Sequence, residues 1–295
     1  MVTRRLTSLV AVLAGVSACS LISLDGFTGG AGPADSGATD VLVSGDAVGT
    51  DGDAPTDGEA GDAGPSRSQT YALAVLADKP RGYWRLEESA GTTAKGENGK
   101  YDGLYVESPA LGEPGVAGSR AIKLRSNTMA RMLVNSRDFR FPGKAAYSVE
   151  LWAKAGVIKN YQWLGGTERG NNGRTGWSLL VDVNGRILYE VWKPDADGGN
   201  QQERGLGLTT VKVLPGAFHH VVMAYTGTTV FGYMDGAKTT TFLSGGIAPD
   251  DTGTLLWGCR ADLSHCLDDW TIDELAVYDF AIDELRVKAH YDLGK

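Results

Sequence analysis

The chain has 295 residues, 41 of them glycine, and a formal net charge of −8 at pH 7. This length suits one large all-β domain or two ordinary ones, and the glycine content is high for a chain that folds throughout. The acidity is uneven: residues 20–68 hold nine acidic residues against Arg67 alone, and from residue 69 onward 27 acidic residues face 25 basic ones. No basic patch appears, which argues against nucleic acid as a partner.

Residues 1–18 have the pattern of a secretory signal. Two arginines, Arg4 and Arg5, precede the apolar run 6–14, as in the charged and hydrophobic regions of signal peptides. The run is too short for a transmembrane helix. We therefore expect export of the chain.

The residues that follow resemble the lipobox of bacterial lipoproteins, with the small residues Val16-Ser17-Ala18 before Cys19. The resemblance implies a diacylated Cys19 as the mature N-terminus, and Ser20 after it implies the outer membrane and the cell surface. More than one acyl chain anchors a protein firmly. An ordinary signal peptide with an incidental cysteine is the alternative.

Residues 19–68 are composed mainly of Gly, Ala, Asp, Thr, Ser and Pro, with Phe27 as the only aromatic. Such a segment buries too little apolar surface to offset its chain entropy. We predict a disordered acidic linker that holds a folded domain, residues 69–295, away from the membrane.

The folded region reads as one short helix followed by many short strands. Residues 69–77 favour a helix that ends before Pro80. Strand patterns then recur, and residues 147–154 alternate clearly, with Tyr147, Val149 and Leu151 on one face. About a dozen strands without βαβ units indicate an antiparallel β-sandwich.

Two hairpins are indicated by their turns. Asn184-Gly185 and Asp235-Gly236 each separate two strand-like runs. A type I′ turn needs positive φ at both central residues, which Asn, Asp and Gly tolerate. We therefore predict two type I′ hairpins.

The stretch 267–294 closes the domain with a strand and a helix. Strand alternation predicts Ile272, Glu274 and Ala276 on one face of residues 270–278 and the intervening Asp273, Leu275 and Val277 on the other. Helical spacing follows from residue 282. Asp273 would sit among apolar residues and would need a partner.

Five segments in order resemble the laminin-G-like jelly-roll family of the concanavalin A-like lectin/glucanase superfamily. They are PRGYWRLEE (80–88), YSVELWAK (147–154), FHHVV (218–222), GYMDG (232–236) and IDELAVY (272–278). The resemblance implies an all-β jelly roll with a short C-terminal helix. It leaves the function open, because this fold carries lectins, adhesion modules and hydrolases.

The resemblance also implies a calcium site. Family members bind calcium through carboxylates near the first strands and the closing strand, and hard oxygen ligands suit this ion. Lys95 replaces one expected Asp, so the candidate ligands here are Glu97, Asn98, Asp102, Asp269 and Asp273. The alternative is that Asp273 accepts backbone N–H bonds.

Carbohydrate binding would need exposed aromatic rings with amides beside them. The candidates in the middle region are Tyr161, Trp163, Asn171, Asn172, Trp177 and Trp192. Their alternative is burial in the core, where most tryptophans of a sandwich lie.

Cys259 and Cys266 lie close together in a chain with an export signal, which predicts a disulfide over a pair of free thiols. His219 and His220 are adjacent, so a strand would direct them to opposite faces. His265 and His290 are isolated in the sequence.

No segment resembles the E-x-D-x-x-E strand of the superfamily's glucanases, and neither a G-x-S-x-G motif nor a phosphate loop is present. We therefore expect a non-catalytic binding module. Its ligand would be a glycan or a surface protein, and the alternatives are a structural envelope component or a glycan-active hydrolase.

Overall fold

The structure is a computed structural model that describes residues 64–295, except 126, 160, 168–174, 195–199, 206–208 and 248–253. The described residues fall within one contact unit, Ala60–Lys295. The predicted signal, Cys19 and the linker as far as residue 63 lie outside the described residues. No helix in the described part is long and apolar enough to cross a membrane.

The described elements begin and end with a helix. The helices are α1 (Arg67–Ala77) and α2 (Glu284–Gly294), and short 3₁₀ turns cover Val116–Gly118 and Arg137–Phe139. The strands are β1 (Gly82–Trp84), β2 (Thr93–Ala94), β3 (Gly103–Val106), β4 (Ala110–Pro114), β5 (Arg120–Leu124), β6 (Arg131–Asn135), β7 (Tyr147–Lys154), β8 (Gln162–Gly166), β9 (Trp177–Val181), β10 (Ile187–Pro194), β11 (Asn200–Gly205), β12 (Phe218–Tyr225), β13 (Thr229–Met234), β14 (Ala237–Leu243), β15 (Thr254–Trp257) and β16 (Trp270–Tyr278).

The strands form two antiparallel sheets, which confirms the predicted sandwich. Sheet A has the order β14-β13-β12-β7-β16-β5-β4, and β1 also pairs with β16. Sheet B has the order β11-β10-β9-β8-β15-β6-β3-β2. Alternate residues of both sheets fill the interior, among them Val149 and Leu151 from β7 and Trp177 and Leu179 from β9. Removal of this apolar surface from water is the main force that holds the sheets together.

The outer face of sheet A is covered by the two helices. Helix α1 begins with a capping box between Ser66 and Gln69, and its buried side includes Tyr71 and Val75. Helix α2 has Asp283 as its N-cap. A second apolar cluster lies beneath both helices and includes Trp152, Val222, Ala276 and Tyr278. As a result, both faces of β7 and β16 are buried.

The two predicted hairpins differ in their turns. Asp235 (φ 53°) and Gly236 (φ 75°) both have positive φ, as predicted. In the other hairpin Gly185 has positive φ and Asn184 does not, so the type I′ prediction is wrong there. The Asp182 carboxylate accepts hydrogen bonds from the backbone N–H groups of Asn184 and Arg186 and stabilises a different turn.

The closing strand β16 departs from the predicted alternation. Ile272, Leu275 and Val277 all lie in the main core, although Ile272 was expected opposite the other two. The register with β7 shifts between Asp273 and Ala276, and Glu274 has φ 51°. A β-bulge explains the difference, because one extra residue reverses the alternation after it. Asp273 and Glu274 are hydrogen-bonded to Val116 and Tyr83, which belong to the second apolar cluster.

Candidate functional site

The aromatic residues predicted to bind carbohydrate are mostly buried. Trp163 and Trp177 have no exposed surface, and Trp192 is 9% exposed. Trp163 packs against Leu180 and Leu188, whereas Trp177 lies in the core between the sheets. Neither ring offers a free face for a sugar, which corrects the expectation for these two residues.

Of the remaining candidates, Tyr161 is half-buried, with its ring 6.5 Å from that of His265 in an edge-to-face contact. Asn171 and Asn172 lie outside the described residues. The structure therefore brings Tyr161 and Trp163 together at one end of β8 but does not show a complete sugar site there.

The predicted disulfide is present between Cys259 and Cys266. The loop that it closes holds His265, whose carbonyl accepts a hydrogen bond from the backbone N–H of Trp163. A pocket of about 370 Å³ lies against this loop, lined by Lys159, Leu263 and Asp268 among others.

The residues predicted to bind calcium do not fit a shared calcium site. Asp102 accepts hydrogen bonds from Lys95 Nζ at 2.8 Å and from the Gly96 N–H at 3.0 Å. Asp269 pairs with Lys123 Nζ at 2.8 Å. In the part of the chain that the structure describes, no group of three or more His, Cys, Asp or Glu side chains is arranged to hold a metal ion.

The other three predicted calcium ligands, Glu97, Asn98 and Asp273, do not converge on a common point either. Asn98 donates its amide N–H to the carbonyl of Arg81 at 2.8 Å, and the Glu97 side chain is exposed. Asp273 accepts the backbone N–H groups of Val116 and Glu274, each at 2.9 Å. Asp273 therefore has the backbone-binding role that the sequence left as its alternative.

A buried charged group lies under the helices on sheet A. Glu150 of β7 is fully buried, and its Oε2 accepts a hydrogen bond from the Tyr278 hydroxyl at 2.6 Å. Its Oε1 accepts one from the Tyr71 hydroxyl at 3.1 Å and lies 2.8 Å from His220 Nε2 and 3.0 Å from His290 Nδ1. These five residues are called the Glu150 cluster.

The contacts of the Glu150 cluster fix its charges. Burial alone would raise the pKa of Glu150, but His290 and His220 hold it well below its usual range, so the carboxylate is ionised. Burial and the neighbouring Glu150 raise the pKa of Tyr71 and of Tyr278, so both hydroxyls stay protonated donors. The second ring nitrogen of His220, Nδ1, is buried with no hydrogen-bond partner among the described residues, so Nε2 is the ring nitrogen that contacts Glu150.

Next to this cluster, a cleft of about 350 Å³ opens at one end of sheet A. Its apolar side is formed by Trp152, Phe218 and Tyr291, and Val116 closes it from the 3₁₀ turn. The rings of Trp152 and Tyr291 are stacked, with centroids 5.8 Å apart and planes at 17°. Phe218 and Tyr291 are half-buried. We call this the Trp152 cleft.

Polar groups also line the Trp152 cleft, namely His219, Asp235 and Lys295. His219 Nε2 accepts a hydrogen bond from the Leu214 N–H at 3.1 Å, so its Nδ1 carries the proton and donates to Asp235 Oδ2 at 2.8 Å. Burial would raise the pKa of Asp235, but His219 and the His220 N–H lower it. The cleft thus combines apolar rings with an anionic and a cationic group.

Sequence patterns did not identify the Glu150 cluster or the Trp152 cleft, although one signal was present. The charged Glu150 and the bulky apolar Trp152 share one face of β7, and apolar residues form the other face. The sequence thus placed a charged residue on a strand with large apolar side chains on both faces. A carboxylate in such a strand needs buried partners. His220 lies directly opposite Trp152 on the neighbouring strand β12. A partner for the Glu150 carboxylate could therefore have been sought on β12.

Comparison with known proteins agrees with this architecture. The model of a family described as "Concanavalin A-like lectin/glucanases superfamily", Laminin_G_3, matches residues 129–288. No curated protein matches the chain.

Several solved structures share the fold. The botulinum neurotoxin serotype D binding domain has a TM-score of 0.52 at 14% identity, over 74% of this chain and 52% of that chain. The binding domain of Paraclostridial Mosquitocidal Protein 1 has a TM-score of 0.53 at 13% identity, over 73% of this chain and 52% of that chain. The chain spans about half the length of these domains, and at such identities the likeness shows the fold alone.

Proposed function

Because the chain belongs to the Laminin_G_3 family of the concanavalin A-like lectin/glucanases superfamily, we propose that it is a non-catalytic binding module held at a bacterial cell surface by a lipid anchor. The ligand that we propose is a glycan bound in the Trp152 cleft. The similar structures named "binding domain" and "receptor binding domain" support a binding role.

The observation that carries the proposal is the composition of the Trp152 cleft. Its volume of about 350 Å³ lies in the range of small-ligand sites, which combine an apolar wall with a few polar groups. Half-buried Phe218 and Tyr291 offer apolar ring edges to the carbons of a sugar, and Asp235 and Lys295 offer an acceptor and a donor for its hydroxyls.

The same lining argues against hydrolysis of the glycan. Glycosidases use two carboxyl groups that flank the scissile bond. Among the described residues that line the Trp152 cleft, Asp235 is the only one with a carboxylate side chain. Glu150, Asp273 and Glu274 are at most 1% exposed, so none of them faces a substrate.

A glycan array probed with the full-length protein in detergent tests the ligand. We expect binding to a defined set of glycans, weakened at least ~10-fold by Phe218→Ala, the size of effect typical of an anchoring aromatic residue. The matched control is Val183→Ala in the β9–β10 turn, a 62% exposed residue on the other sheet.

Two outcomes would contradict the proposal in different ways. Loss of binding in Tyr161→Ala with normal binding in Phe218→Ala would move the glycan to the residues predicted from the sequence. Failure of the wild-type protein to bind any glycan on the array would favour a protein ligand instead.

The anchor is proposed from the residues around Cys19, which lie outside the described part. We expect the wild-type protein in the membrane fraction and Cys19→Ser in the soluble fraction. Ser20→Ala keeps the cysteine and should stay in the membrane fraction, which makes it the control. A Cys19→Ser protein that remains in the membrane fraction would disprove lipidation as the anchor.

A further inference from the structure

Helix α1 is attached to the rest of the domain by polar contacts from its middle and from its C-terminal end. The Tyr71 hydroxyl donates to Glu150 Oε1 and accepts a hydrogen bond from Trp152 Nε1 at 3.0 Å. At the C-terminal end of α1, Arg286 of α2 donates to Asp78 Oδ2 at 2.8 Å and to the Ala74 carbonyl at 3.2 Å. These contacts join α1 to β7 and to α2.

His290 of α2 lies between two carboxylates. Its Nδ1 is 3.0 Å from Glu150 Oε1, and its Nε2 is 3.0 Å from Asp78 Oδ2. A neutral imidazole carries one N–H and one lone pair, so one of the two contacts would set a lone pair against a carboxylate oxygen. Protons on both nitrogens satisfy both contacts, which makes the ring in this geometry a cation.

The groups that face the ring come from every element packed around it. They are Tyr71 and Asp78 from α1 and its C-cap, Glu150 from β7 and Arg286 from α2. His220 of β12 and Tyr278 of β16 contact Glu150, the partner of the ring. When His290 is charged, the two cations His290 and Arg286 balance the two carboxylates Glu150 and Asp78. When His290 loses its proton, the buried Glu150 keeps its charge and loses its main counter-charge, which is costly for a fully buried carboxylate.

The pKa of His290 agrees in direction with this geometry. Burial of the ring lowers it, but Glu150 and Asp78 raise it more, so that it lies above the ordinary value of 6.5. A histidine whose pKa is raised by folding stabilises the fold fully below the unfolded value. This contribution is lost as the pH rises through the pKa of the folded state.

The same elements form the walls of the Trp152 cleft. Tyr291 follows His290 on α2 and stacks on Trp152, whose indole N–H is held by Tyr71. Gly294 lies so close that a Cβ there would be 2.4 Å from Trp152 Cζ2. A movement of α1 or α2 would therefore change the shape of the cleft.

We infer that α1 and α2 form a proton-dependent clasp, switched by His290, which holds the Trp152 cleft in shape while His290 is charged and loosens it when His290 is neutral. The expected effect on glycan binding rests on the function proposed above for the cleft. The expected movement of α1 is independent of that function.

Hydrogen–deuterium exchange of the α1 amides tests the clasp without a ligand. After correction for the intrinsic rate, we expect protection of residues 67–77 in the full-length protein to fall at least ~10-fold between pH 5.5 and pH 9, because an opening equilibrium sets the exchange. In His290→Gln, protection should be low at both pH values. Constant protection in the wild type, or a wild-type profile in His290→Gln, would overturn the inference.

Two further variants keep the test decisive. Asp78→Asn removes one carboxylate from His290 at a partly exposed position, where the side chain is 16% exposed, and should shift the transition to lower pH. His265→Gln alters an exposed histidine in the disulfide loop and should keep the wild-type profile. An unchanged transition in Asp78→Asn would also contradict the inference, whatever the glycan array shows.

Discussion

Ser119 Oγ donates a hydrogen bond of 2.6 Å to Asp273 Oδ2 and so joins the 3₁₀ turn Val116–Gly118 to the bulge of the closing strand. The same oxygen accepts the N–H of Val116. Burial raises the pKa of Asp273 to about 7 against the effect of these donors, which lower it. The turn that borders the Trp152 cleft is thus positioned by a carboxylate of β16.

Removal of this hydroxyl should destabilise the domain. We expect Ser119→Ala to lower the free energy of unfolding by about 1–3 kcal/mol, the size of a hydrogen bond to a buried carboxyl group. Urea denaturation followed by tryptophan fluorescence measures the change. Ser89→Ala, at an exposed serine, should stay within about 0.5 kcal/mol of the wild type. Equal stabilities of the two variants would show that the Ser119 bond adds nothing.

Replacement of Glu150 by Gln should have a larger effect. The variant has no buried anion for His290 and directs an amide N–H₂ at groups that donate, so we expect a loss of about 3–5 kcal/mol. Exposed Glu107→Gln is the control, and chemical denaturation again measures the loss.

The pH dependence of Glu150→Gln is a second readout. The pKa of Glu150 is lowered by folding, so its contribution is present above the ordinary value of 4.5 and is lost as the pH falls through the folded-state pKa. The wild type should therefore lose stability below about pH 4.5 more steeply than the variant does. Parallel pH profiles would contradict an ionised Glu150.

Loss of the disulfide should lower stability without unfolding the domain. The Cys259–Cys266 bridge closes a short loop, for which loop-closure entropy predicts about 2–3 kcal/mol. Thermal unfolding of Cys259→Ser/Cys266→Ser should show a lower Tm than the wild type, and reductant should shift the Tm of the wild type alone. A variant that melts like the wild type would contradict this estimate.

Calcium should leave the Tm unchanged. Asp102, Asp269 and Asp273 already bind Lys95, Lys123 and backbone N–H groups, and a bound ion stabilises a fold only where it finds ligands. Thermal unfolding in CaCl₂ and in EDTA at equal ionic strength measures this. A rise in Tm with calcium concentration, abolished in Asp273→Asn, would restore the site predicted from the sequence.

The sandwich was predictable because its signals are local. Alternation on β7, the Asp235-Gly236 turn and the apolar spacing of α1 each depend on residues within one segment. The family motifs add the order of the strands. The bulge at Asp273-Glu274 was not predictable in this way, because a single extra residue leaves an alternating pattern that still reads as a regular strand.

The candidate site was not predictable because it is made of distant segments. Glu150 is 79 residues from Tyr71 and 140 from His290, and neither separation has a periodic signature. His290 looked isolated in the sequence, but the fold places it between two carboxylates. Trp163 was predicted to bind a sugar but packs against Leu180. The sequence pattern of an aromatic residue on a strand is the same in both cases.

The central position of β16 also has a consequence for the order in which the chain folds. This strand follows all the other described strands along the chain, yet it lies between β7 on one edge and β5 and β1 on the other. Sheet A therefore cannot join its two halves until residues 270–278 are available. A chain of this topology has mostly non-local contacts, which form slowly. Completion of sheet A is therefore a late and slow step in the folding of this domain.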